Sequence, residues 1–74
     1  MPHLPIHTVP NGDKWTNKRE GKSRGDKDYD TKAEAQAAGR LAAIRDKVEH
    51  LIHKQDGTIG ERNSYGNDPN PPKG

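Results

Sequence analysis

Cysteine is absent from this 74-residue chain, and phenylalanine with it. The first absence excludes a disulfide framework and any thiolate metal site, and it fits a reducing compartment. Apolar residues make up only 26% of the chain, against roughly 45–50% in an average domain, so a thin core is expected. No stretch approaches the roughly 20 apolar residues of a membrane span. The opening residues, Met-Pro-His-Leu-Pro-Ile-His, carry neither the basic region nor the apolar run of a signal peptide. A cytoplasmic address with no membrane contact is the expectation. Charge of one sign is also lacking: 13 Lys and Arg stand against 11 Asp and Glu, a net of +2. Without high net charge, and with its apolar residues in periodic positions, the chain reads as ordered.

What is present suggests one small domain. Its large apolar residues are Leu4, Ile6, Val9, Trp15, Tyr29, Leu41, Ile44, Val48, Leu51, Ile52, Ile59 and Tyr65. A domain of this length buries only about 60% of its unfolded surface, so covering one face with a second copy is a natural remedy, and a homodimer is expected.

Residues 5–9 read as a strand closed by the turn cluster Pro10-Asn11-Gly12-Asp13, and residues 14–19 return antiparallel with Trp15 as the anchor. Residues 20–28 are polar or glycine and read as a loop that ends in a short strand near Tyr29. Thr31, with Glu34 three residues later, marks a helix start, and the helix is predicted over about 32–48. Its stripe of Ala37, Leu41, Ile44 and Val48, broadened by Ala33, Ala38 and Ala42, is expected to lie on the sheet. Residues 50–54 and 58–62 form a second hairpin around Gln55-Asp56-Gly57, with Ile52 and Ile59 available for burial. The fold class is therefore α+β, two layers with one helix on a largely antiparallel sheet, in the order β-β-(β)-α-β-β. Residues 1–62 make the domain and 63–74 a Pro/Asn/Gly-rich tail, which is either an ordered docking arm or a loose end.

Most chemical motifs fail on spacing. Gly21-Lys22-Ser23 resembles the end of a phosphate loop, but the required glycine five residues earlier is Thr16. Arg24-Gly25-Asp26 is a coincidence of loop composition. His50 and His53, three apart on a strand, point to opposite faces. A metal site would need strand pairing to bring His7 to one of them, plus a carboxylate such as Asp56, and no metal or cofactor is assigned. No activated nucleophile or acid–base pair is recognisable, so no catalytic residue is assigned and a non-enzymatic role is expected.

The closing segment from His50 to Gly74, the opening His7-Thr-Val-Pro-Asn-Gly-Asp-Lys-Trp15 and the helix start Asp30-Thr-Lys-Ala-Glu-Ala35 together resemble the DUF2188 family of small bacterial and phage proteins of undefined function. That family usually carries an aliphatic residue where this chain has Asn17. The expected role is a regulatory or phage-associated interaction module that binds protein through its sheet and tail, with Tyr65, Pro69, Pro71 and Pro72 as partner-binding residues. The alternative is nucleic-acid binding by the basic loop 18–27, using Lys18, Arg19, Lys22, Arg24 and Lys27 with Trp15 to stack on a base.

Overall fold

The computed structural model describes residues 4–22, 25 and 27–65. β1 (Ile6–Asn11) and β2 (Lys14–Arg19) form a hairpin. Its turn is tighter than the cluster 10–13 suggests, because Pro10 and Asn11 stay in the strand opposite Trp15 and Lys14. Gly12, at φ +67°, supplies the single left-handed residue of a Gly-X hairpin turn. Pro10 is tolerated because β4 pairs with β1 only along Ile6 to Thr8, which leaves the proline without a neighbour on that side.

β3 (Asp28–Tyr29) adds to β2, with Tyr29 opposite Trp15. α1 (Lys32–Asp46) then crosses the sheet, β4 (Glu49–His53) enters parallel to β1, and β5 (Ile59–Ser64) returns antiparallel to β4. The sheet order is β3-β2-β1-β4-β5. One helix thus packs on a five-stranded, mostly antiparallel sheet, as expected. The one parallel pair follows from α1, since a parallel neighbour needs a long crossover. No helix among the described residues is long and apolar enough to cross a membrane.

Thr31 caps α1, its hydroxyl accepting a hydrogen bond from the Glu34 amide at 3.1 Å. The helix stops at Asp46, two residues before the predicted end. Lys47 takes the left-handed conformation, φ 59° and ψ 52°, and the Val48 amide reaches back to the Ala43 carbonyl at 3.0 Å. With the Lys47 amide on the Ile44 carbonyl and Val48 packed on Ala43, this is a Schellman end with lysine where glycine is usual. Lys47→Gly should therefore raise stability by about 0.5–1 kcal/mol, read from the urea midpoint.

The helix sits on the sheet by a different face from the predicted one. Ala35, Gly39 and Ala43 are its buried residues, whereas Leu41 is 68% and Ile44 43% exposed and Ala37 also faces solvent. The reason lies beneath it. The row of side chains under the middle of α1 is Thr8, Asn17 and His50, all buried, and only small residues let the helix backbone come close enough to bond to them. Val48 is buried, but as the residue after the cap rather than as a helical position. Ile6, Ala43 and Val48 form the apolar core cluster, with Ala42 and Tyr65 against it. Ile52 is buried as expected; Ile59, predicted as available for burial beside it, is instead 47% exposed on the edge strand β5.

Candidate functional site

Strand alternation gives the sheet two unlike faces. Beneath α1 lie Ile6, Thr8, Trp15, Asn17, Arg19, His50 and Ile52; His7, Val9, Thr16, Lys18, Leu51 and His53 face the other way.

The helix-side polar group has a determined hydrogen-bond direction. The Asn17 amide nitrogen donates to the Ala35 carbonyl at 2.8 Å, which turns its oxygen toward Thr8. The Thr8 hydroxyl donates its single proton to that oxygen, so its lone pair must accept from His50 Nε2–H at 2.7 Å. His50 is consequently the neutral Nε2–H tautomer, and its Nδ1 lone pair is buried with no partner. Burial holds the His50 pKa below its ordinary 6.5, with Glu61 pulling the other way. Thr8 and His50 are wholly buried, so the group fixes helix to sheet and is sealed from any ligand.

On the opposite face, His7 and His53 meet. His53 Nδ1 stands 2.8 Å from the Gly57 carbonyl, and His53 Nε2 stands 2.8 Å from His7 Nδ1. His7 Nε2 in turn lies 2.9 Å from a Glu20 carboxylate oxygen. A carbonyl can only accept, so His53 Nδ1 carries a hydrogen. Were an ionised Glu20 likewise to take a hydrogen from His7 Nε2, two neutral rings would confront each other with lone pairs at hydrogen-bond distance. A neutral His7 meets only one of its two neighbours, donating either from Nδ1 to His53 or from Nε2 to Glu20, so the tautomer decides which link of the chain from Glu20 to Gly57 is made.

Strand pairing has thus brought His7 to His53, the juxtaposition that a metal site would need, but Asp56 is elsewhere: its carboxylate accepts from the Thr58 amide and hydroxyl in the β4–β5 turn. Those two bonds hold the Asp56 pKa below its ordinary value. The 2.8 Å between the two nitrogens is a hydrogen-bond distance; two imidazole nitrogens on one zinc ion at about 2.0–2.1 Å would stand about 3.3 Å apart. Among the described residues, no group of three or more His, Cys, Asp or Glu side chains is placed to hold a metal ion.

The basic loop is divided between the two faces. Lys18 is on the open face, directly opposite His7. Arg19 points under the helix, where it donates to Asp46 at 2.7 Å and to the Leu4 carbonyl at 3.0 Å. Arg45 and Arg19 together hold the Asp46 carboxyl far below the usual carboxylate range. Trp15 is 7% exposed, with the Lys32 ammonium over its ring, and offers no free face to a base. Lys27 lies over Tyr29, and Lys22 borders the groove beside His7 and His53. Arg24 falls outside the described residues, as do Pro69, Pro71 and Pro72 of the tail. Tyr65, the tail's expected partner-binding anchor, rests on the core of its own chain.

Sequence reasoning did not single out Gly39, Thr8, Glu20 or Arg62 as members of a site. For Thr8 and Arg62 the only signal is parity along their strands, which acquires meaning once the β1–β4 and β4–β5 registers are known; Gly39 and Glu20 carry none.

No curated protein and no solved structure matches the chain. Residues 6–65, from the first residue of β1 to the tyrosine that follows β5, match the model of a family described as an uncharacterized protein conserved in bacteria, and the chain belongs to this family, DUF2188.

Proposed function

We propose that this small domain is a non-enzymatic protein-interaction module and that the outer face of α1 is its docking element, with a second copy of the chain as occupant. The observation that carries this reading is the exposure of Leu41 and Ile44 in a chain with so few large apolar residues. Ala37, Leu41 and Ile44 recur at the 4-3 spacing of a helix–helix seam, on the face turned away from the sheet. Charge favours an antiparallel pairing of like helices. Glu34 lies in the first turn, while Arg45 and Lys47 lie at the far end, so two copies related by a dyad near Leu41 set opposite charges side by side. The same dyad places Ala37 of one copy against Ile44 of the other, small against large. A regulatory or phage-associated setting accords with a role made of contacts alone.

Sedimentation of the full chain across a range of concentrations tests the proposal. The wild type is expected to dimerise, and Leu41→Lys with Ile44→Lys should weaken dimerisation at least a hundredfold while leaving the circular dichroism spectrum unchanged, because neither side chain is in the core. A wild type that stays monomeric at about millimolar concentration, or a double variant that dimerises as well as the parent, overturns it.

A further inference from the structure

The face opposite α1 carries a second, independent pattern. Reading across β2, β1, β4 and β5, the register aligns Lys18, His7, Leu51 and Arg62 in one row. With strands about 4.8 Å apart, the row spans about 14 Å. Its two ends are cationic, and among the described residues neither Lys18 nor Arg62 has an ion-pair partner; Lys22, at the border of the groove, has none either. Between them stands the His7–His53 pair.

Among the described residues, the carboxylates that face this side are Glu20, Asp28 and Glu49. Glu20 is taken up by His7, and Asp28 accepts from the Asn11 amide. Glu49 lies at the start of β4, opposite Ser64. Of the apolar side chains on this side, Val9 is partly buried and Leu51 buried. A line of unpaired cations longer than one anion matches a repeating phosphate backbone better than a single small ion.

We propose that the sheet face opposite α1 binds single-stranded nucleic acid through its phosphodiester backbone, with Lys18 and Arg62 at the ends of the row and Lys22 at its border as the phosphate contacts around the His7–His53 pair. Among the described residues, this face carries no projecting helix to enter a duplex groove and no tryptophan or tyrosine platform to read bases, since Trp15 and its neighbour Tyr29 lie on the helix side. Binding is therefore sequence-tolerant and governed by salt. It uses the face opposite the dimerisation ridge, so the two proposals stand or fall separately.

Fluorescence anisotropy of a labelled 12-nucleotide single strand of mixed sequence, titrated with the full chain between 20 and 200 mM salt, tests the proposal. The three cations Lys18, Lys22 and Arg62, each on one phosphate, predict a log–log salt slope of about −2. Lys18→Ala with Arg62→Ala should weaken binding at 20 mM salt at least tenfold and reduce the slope to about −0.7. Arg40→Ala with Lys47→Ala removes the same charge from the helix side and should leave the slope unchanged. Absence of binding at 20 mM salt, or an equal loss in the helix-side pair, overturns the proposal.

Discussion

Gly39→Ala is expected to destabilise this domain by about 2 kcal/mol, although alanine is the better helix former. On propensity alone the substitution in mid-helix is favourable by about 1 kcal/mol. The added Cβ, however, would stand 2.6 Å from Asn17 Oδ1, 2.7 Å from His50 Nε2 and 2.9 Å from Thr8 Oγ1. All three atoms belong to buried side chains bonded to one another, so none can give way alone. Either the helix lifts, which costs about 1–3 kcal/mol in overpacking, or a buried polar atom loses its partner at a similar cost. Both outweigh the propensity gain. In a domain of this size the thermal midpoint should fall by roughly 10 °C. Part of the loss should disappear when Asn17→Ala is already present, because that change opens space under the glycine and gives a double-mutant coupling. An unchanged or higher midpoint for Gly39→Ala would show that α1 does not rest on this group.

The second large effect is on acid stability, and it comes from His50. Protonating this ring would bury a charge and place a hydrogen on Nδ1, where no acceptor waits. Its folded pKa is accordingly lowered from the ordinary 6.5. Below pH 6.5 the unfolded chain takes up the proton and the folded chain does not. Stability from this group is therefore full above about pH 6.5 and is lost as the pH falls toward the lowered value, by up to about 1.4 kcal/mol per pH unit. Asp30, Asp46 and Asp56 also have lowered pKa values, but their ordinary value is 3.8, so their contributions persist until the solution is more acidic. Urea unfolding at pH 8, 6.5 and 5.5 separates the two windows. His50→Leu keeps the Thr8-to-Asn17 bond and should be less sensitive to pH between 6.5 and 5.5 than the wild type. Equal pH dependence in the two proteins would remove His50 as the cause.

Much of the architecture was legible in the residues because it is encoded locally. Thr31 and Glu34 mark the start of α1 through a bond within one turn. Gly12 and Gly57 mark the two hairpin turns by the left-handed backbone they adopt, φ +67° and +94°. Opposite orientations for His50 and His53 follow from the period of a strand alone. The direction in which α1 faces was not legible. Its larger apolar residues form the more conspicuous stripe, and the expectation that such a stripe lies on the sheet fails here because the sheet presents Thr8, Asn17 and His50, which accept only a close, small-residue surface.

The candidate sites follow the same division. Lys18 and Lys22 were visible as charge, but charge along a sequence does not say on which face it emerges. Arg19, one residue from Lys18, ends on the other side of the sheet, paired with Asp46. His7 and His53 are 46 residues apart, and Arg62 joins their row only through the β4–β5 register.

By itself, then, the sequence determined the order of elements, the helix cap, the turns and the family. Those rest on contacts within a few residues or on the recurrence of residue types. Tertiary structure alone decided which helix face is covered, where the polar core lies and which cations share a surface. These depend on the parallel register of β1 against β4 and on how closely α1 approaches the sheet, and both are set by side chains that meet only after the chain has folded.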